Sequence, residues 1–214
     1  MPVEKVKGYI AKRRNAGNRQ RKQVLLIASE GDNKTEKLYL CDFLSYNSDR
    51  ISVRFTKGND TDPINMIKRL IDEYEESDPH QDDQAFCLVD SDFDWHKNSQ
   101  MKEADELTKQ YKGRVKMIVS SPCFEVWYIC HYLFSTKQYA TAVDVLNTLR
   151  LYCLNYQKSD PSMYALLKSS QQEAISNAKR LEGNCMECGK QPHTVEFTPS
   201  TEMYKVIESI RPKQ

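Results

Sequence analysis

The residues of this sequence whose types and spacing could do chemistry are acidic. Glu30 follows the apolar run Val24-Leu25-Leu26-Ile27-Ala28-Ser29, and Asp90-Ser91-Asp92-Phe93-Asp94 follows Phe86-Cys87-Leu88-Val89. A short apolar, partly β-branched run that ends abruptly in carboxylate is how a buried parallel strand reads when a functional edge lies just past it. If both runs are parallel strands of one sheet, Glu30, Asp90 and Asp92 arrive at the same carboxyl edge, where open α/β sheets bind ligands. Asp90 and Asp92 are two residues apart and point to the same side of an extended chain. Such a cluster is costly unless a cation sits among the acids, and carboxylate oxygens are the ligands that magnesium takes. The metal could activate water and stabilise a phosphoryl transition state. A plainer alternative stays open, in which Asp90 and Asp92 cap the next helix and Glu30 pairs with a lysine.

Rival chemistries fare worse. An EF-hand loop beginning at Asp90 needs Gly at its sixth position and Glu at its twelfth, but those positions hold Trp95 and Met101. Glu125 falls in the first turn of the helix expected after the fourth strand, so it too could face the acidic edge. His131 lies six residues on, away from Glu125 on the helical wheel, and reads as a satisfied core histidine. Cys123, at a helix start, could carry a lowered pKa, but no base and orienting group mark a cysteine hydrolase. Cys185, Cys188 and His193 hint at zinc, although a structural site needs four ligands. Walker A, GxSxG and HExxH motifs are absent from the sequence.

The elements that must position these residues follow from periodicity. Strands are expected over 23–29, 50–56, 85–91 and 114–119. Helices are expected over 34–46, from Pro63 with Asp62 as cap, over 100–112 and over 123–134. This β-α alternation predicts an α/β fold, a mostly parallel four-stranded sheet flanked by helices. Beyond about 137 no strand is evident, and helices near 138–151, 160–169, 171–182 and 201–210 predict an α-helical C-terminal extension. The chain thus divides into a basic arm (1–22), an α/β domain (23–136) and a helical region packed on it (137–214).

Charged residues make up 29% of the 214 and apolar residues 39%, so a core is affordable under a strongly solvated surface. Net charge is only +1, yet residues 1–22 carry eight Lys or Arg against one acid, Glu4. Lys12, Arg13, Arg14, Arg19, Arg21 and Lys22 could therefore lie along the phosphates of DNA or RNA; a merely solubilising tail is the competing reading. Seven cysteines, an odd number mostly set in apolar runs, and a start without an apolar signal region predict a reduced, cytoplasmic protein. No stretch approaches the length needed to span a membrane.

Glu30-Gly31 with Thr35-Glu36 resembles the EGxxTE signature of RloB-like proteins. Asp90-Ser91-Asp92-Phe93-Asp94 and Ser121-Pro122-Cys123-Phe124-Glu125-Val126-Trp127 resemble that family's DxDxD and SNPCFExW elements. Tyr156-Gln157-Lys158-Ser159-Asp160, Ala174-Ile175-Ser176-Asn177-Ala178 and Pro199-Ser200-Thr201 match in order, so the resemblance covers roughly residues 20–210. It implies a Toprim-like fold, with Glu30 as general acid or base, Asp90 and Asp92 as magnesium (or manganese) ligands, and Asp94 and Glu125 as further candidates around the metal. It also implies a nuclease in antiviral, abortive-infection or restriction-linked defence, with nucleic acid and a nearby-encoded ATPase as partners. The alternatives are a non-catalytic subunit acting through that ATPase, and nucleotidyl transfer in the manner of primases. A homo-oligomer is compatible with either role. Asp32-Asn33 replaces the family's more usual Glu-Lys, and Ser121 stands where the family often has Asn.

Overall fold

The computed structural model describes residues 21–30, 34–47, 49 and 51–210. Arm residues Lys12, Arg13, Arg14 and Arg19, and the Asp32-Asn33 departure from the family pattern, lie outside the described residues. Strands β1 (Gln23–Ala28), β2 (Ile51–Phe55), β3 (Gln84–Asp90) and β4 (Val115–Ser121) alternate with helices α1 (Lys34–Ser45), α2 (Pro63–Glu76), α3 (His96–Thr108) and α4 (Glu125–Cys130). The four strands are parallel, and β1 lies between β2 and β3.

A fifth strand corrects the expectation of four. β5 (Ser200–Thr201) pairs antiparallel with β4, matching Ser120 to Thr201 and Ser121 to Ser200. Two polar residues cannot show period-2 alternation, so nothing local marks them as a strand. Their identity comes from the partner: the Glu202 N–H donates to the Val119 carbonyl at 3.0 Å, and the Ser120 and Thr201 hydroxyls meet at 2.9 Å.

Strand residues alternate between two cores because successive side chains leave opposite faces of a sheet. Leu25, Ile27, Phe86, Leu88 and Ile118 pack on one side with α1, α4 and the C-terminal helices α5 (Ala142–Arg150), α6 (Met163–Leu167), α7 (Gln171–Glu187) and α8 (Met203–Glu208). Leu26, Ala28, Ala85, Cys87, Val89, Met117 and Val119 pack on the other with α2 and α3. Burial on both faces explains why β1, β3 and β4 read as nearly continuous apolar runs. The C-terminal helices share the first core with the strands, so the sheet cannot form that face without them.

Helix α2 shows how closely local signals govern an element. Asp62 caps it by accepting from the Asn65 N–H at 3.0 Å, Pro63 fills the first turn, and Met66, Ile67, Leu70, Ile71 and Tyr74 are buried. Removing such a cap costs about 1 kcal/mol. Helix α3 begins at His96 rather than near 100, which puts Lys97 in its first turn. Helix α4 is only six residues, and α7 runs on to Glu187.

Among the described residues no helix is long and apolar enough to cross a membrane.

Candidate functional site

In the order β2-β1-β3-β4 the chain steps from β1 outward to β2, then crosses back to β3 on the other side of β1. The crevice beyond the carboxyl ends of β1 and β3 is therefore the topological switch point of the sheet, the place where such sheets bind ligands. Glu30 leaves β1 there, and Asp90 ends β3. Asp92 follows Asp90 by two residues.

What these residues converge on is an ammonium group. Lys97 Nζ donates to Glu30 Oε1 at 2.7 Å, to the Asp90 carbonyl at 2.7 Å and to Asp92 Oδ2 at 2.9 Å. Burial alone would lower this lysine, but Glu30 and then Asp92 outweigh it and hold Lys97 above its ordinary value. The pairing of Glu30 with a lysine is thus realised, and Lys97 occupies the position on which three hard oxygens point.

Two further acids stand behind the first three. Glu36 comes from the first turn of α1 and Glu125 from the start of α4, and both are buried. Burial first, then the charges of Glu125 and Glu30, pushes the Glu36 carboxyl up to about 8, against the pull of Lys158. Asp90 is raised well above the usual carboxylate range by burial, then by Glu36, Asp92, Glu30 and Glu125. Burial also raises Glu30, opposed by Lys97. Five carboxyl groups therefore lie within electrostatic reach of one another at this edge, and Lys97 pairs directly with two of them, Glu30 and Asp92.

The C-terminal segment closes over this edge. The Tyr156 hydroxyl donates to Glu125 Oε1 at 3.0 Å, and the Ser159 N–H donates to Thr35 Oγ1 at 3.2 Å. Beneath the edge, the buried Ser91 and Ser121 hydroxyls meet at 2.8 Å, linking the ends of β3 and β4. Asp92 and Phe93 adopt φ of +51° and +58°. Two successive non-glycine residues in the left-handed region cost about 1–3 kcal/mol each and persist where the surroundings over-determine them.

Not every expected residue joins the cluster. Asp94 is exposed and accepts the His96 N–H at 3.0 Å, capping the turn into α3. Arg21 forms a two-pronged pair with Asp83 at 2.9 and 2.5 Å, and Asp83 also accepts the Val24 N–H. That clamp holds the start of β1, a strand length of roughly 20 Å from the acidic edge. Lys22 beside it is exposed. A cavity of about 210 Å³, lined by Leu26, Arg54, Glu73, Tyr74 and Gln84 among others, lies against β1, β2 and α2 and contains none of the edge acids.

The rival readings resolve as follows. Cys123 is buried, and its thiol is pushed up, first by burial and then by Glu125 and Asp90, opposite to what a nucleophile needs. His131 is a core histidine, lowered to about 4 by burial, with Nδ1 paired to the Trp127 carbonyl at 2.9 Å. Both ring nitrogens of His193 are taken, Nδ1 by Asp105 at 2.7 Å and Nε2 by Glu202 at 2.9 Å, and Cys185 is buried against Pro199. Among the described residues no group of three His, Cys, Asp or Glu side chains is gathered to hold a metal as it stands. The oxygen donors of the edge suit a hard divalent cation in kind; the point they share is filled by Lys97.

Reasoning from sequence missed Lys97, Glu36, Tyr156 and Lys158. The second Glu of the EGxxTE signature and the Tyr156–Asp160 match were the available signals for three of them. Lys97, in a polar loop, had none.

Comparison with known proteins supplies one finding. A family model described as RloB-like protein matches residues 25–210. No curated protein and no solved structure matches the chain.

Proposed function

This chain belongs to the RloB-like protein family, and from that premise we propose that it is a magnesium- or manganese-dependent nuclease of an antiviral defence system. In this reading it hydrolyses nucleic-acid phosphodiesters at the carboxyl edge, with the Toprim-like arrangement its sequence resembles. The observation that carries the reading is the mutual influence of Glu30, Glu36, Asp90, Asp92 and Glu125 at the switch point of the sheet, where Lys97 pairs with Glu30 and Asp92. Asp90, Asp92 and Glu30 would hold the cation. Bound there, it would polarise a phosphoryl oxygen and lower the pKa of water.

The chain's own residues have separable roles. Glu30, raised above its ordinary value by burial against the pull of Lys97, accepts the proton of the attacking water at a carboxylate oxygen. Lys97 holds this point while no cation is bound there and would yield it to the ion. Tyr156 fixes Glu125 by its hydrogen bond and so orients the inner wall. Lys12, Arg13, Arg14 and Arg19, with Lys22, would hold the phosphate backbone of DNA or RNA away from the cut. The test incubates the full chain with plasmid, single-stranded DNA and RNA across Mg²⁺ and Mn²⁺. Cleavage lost in Asp90→Ala with Asp92→Ala supports the assignment, and cleavage that survives both overturns it.

A second reading has its own observation. Val143, Leu151 and Leu154 on and just after α5 are 58%, 73% and 82% exposed, an apolar surface that suits a partner protein such as the ATPase. Co-purification with that ATPase, lost in Leu151→Asp with Leu154→Asp, would support a subunit that acts through its partner.

A further inference from the structure

The chain has two tryptophans with opposite fates. Trp127 is fully buried, whereas Trp95 is 63% exposed at the start of α3. Trp95 lies between Asp92 and Lys97, whose side chains touch at 2.9 Å, so residues 92–97 form a closed loop at the rim of the acidic edge. Three peptide steps separate Trp95 from Asp92, which keeps its Cα within about 11 Å of that residue's Cα.

The loop is held firmly. The Asp92 N–H donates to the Pro122 carbonyl, Asp94 N–H to Ser91, Lys97 N–H to Asp94 and Asn98 N–H to the Trp95 carbonyl, at 2.9–3.2 Å. Phe93 packs against the larger core. The exposure of the indole is therefore built in rather than the result of a loose segment. An aromatic side chain can bury roughly 150–250 Å², and this loop forgoes most of that for Trp95 while Phe93, two residues earlier, is partly buried against the core. Asp92, Asp94 and His96 around it are exposed and polar. A flat π-face beside a phosphate site can stack on a nucleobase whatever the base, because every base has a π-face.

We infer that Trp95 is a stacking platform for an unpaired base, and that the substrate class at this edge is single-stranded nucleic acid. The inference rests on the reading of the edge as a phosphodiester site. Inside a duplex both faces of a base are occupied by its neighbours, so only an unstacked base can lie on the indole.

The test uses the full chain carrying Asp90→Asn, which silences cleavage while keeping the Asp90 carbonyl that Lys97 uses. Oligo-dT, oligo-U and a duplex of equal length are titrated in Mg²⁺, reading tryptophan fluorescence and the anisotropy of end-labelled strands. Single strands quench the fluorescence and the duplex does not. Trp95→Ala weakens single-strand binding about 5- to 150-fold, the range for one stacked base, and Trp95→Phe restores most of it. Because the side chain is exposed, the Tm of Trp95→Ala stays near that of the parent, which separates lost stacking from lost folding. Single-strand binding unchanged in Trp95→Ala, or absent altogether, overturns the inference. Trp95-dependent binding in a chain that never cleaves leaves the inference standing and removes the nuclease reading. Cleavage that needs Asp90 and ignores Trp95 removes the inference alone.

Discussion

Two ionic clusters sit at the carboxyl side of the sheet, and they are built on opposite terms. At the edge of β1 and β3, five carboxyl groups act on one another while Lys97 pairs with Glu30 and Asp92, and burial with mutual repulsion pushes Asp90 and Glu36 upward. Around His193, charges alternate. Asp105 and Glu202 hold the imidazole at 2.7 and 2.9 Å, Lys205 pairs with Glu202 and with Glu182, and Glu202 Oε2 also accepts the Val119 N–H at 3.0 Å. Burial would lower His193, but Asp105 and Glu202 raise it to about 10. Burial would raise Glu202, but His193 and then Lys205 bring it down to about 2. A neutralised network is a structural fastening, here tying α8 and β5 to α3 and β4. A cluster of buried acids that raise one another is costly in the folded protein, and groups perturbed in this way gather at functional sites.

Glu30→Gln should slow Mg²⁺-dependent cleavage by about 10²- to 10⁴-fold while leaving the fold intact, as single-turnover kinetics and thermal melts will show together. An equal loss of Tm would make Glu30 another fastening and erase the contrast. His193→Ala should do the reverse, costing about 1.5–3 kcal/mol by taking from buried Glu202 one of its two cationic partners, measured by urea denaturation.

Added Mg²⁺ should raise Tm through the acidic edge, by an amount equivalent to about 2.7 kcal/mol at a hundredfold excess over Kd. The gain should be larger in Lys97→Met, where no ammonium competes, and unchanged in His193→Ala. A gain that vanishes in Lys97→Met would place the ion elsewhere.

A pH profile reads the same His193 fastening from another side. His193, raised above its unfolded value of 6.5, contributes fully below that pH and loses its contribution as pH climbs through about 10. Glu202, depressed from 4.5, contributes above that value and loses its contribution as pH falls through about 2. The stability gap between wild type and His193→Gln should therefore be widest between about pH 4.5 and 6.5 and close toward pH 10. A gap that stays flat to pH 10 would deny the raised imidazole.

By itself the sequence determined the four parallel strands, the helices between them and the arrival of Glu30, Asp90 and Asp92 at one edge. The reason is local: Leu25 to Ala28 and Phe86 to Val89 have no partly polar alternative to burial on both faces, and Asp62-Pro63 starts α2 with its own side chains. Glu125 was legible from its place in the first turn after β4, and the family signature carried Glu36 unremarked. Only the tertiary structure decided the rest. Ser200 and Thr201 become a strand because β4 has an open edge, not because of their own propensity. Lys97 looks like any lysine in a polar loop until the first turn of α3 brings its ammonium between carboxylates that precede it by 67 and 5 residues. His193 looks like a metal ligand beside Cys185 and Cys188 until Asp105 and Glu202 take both its nitrogens. Apolar periodicity is written in neighbouring residues, but charge compensation is settled by whatever the fold brings within a few ångströms, and that distance is not a property of any stretch of sequence.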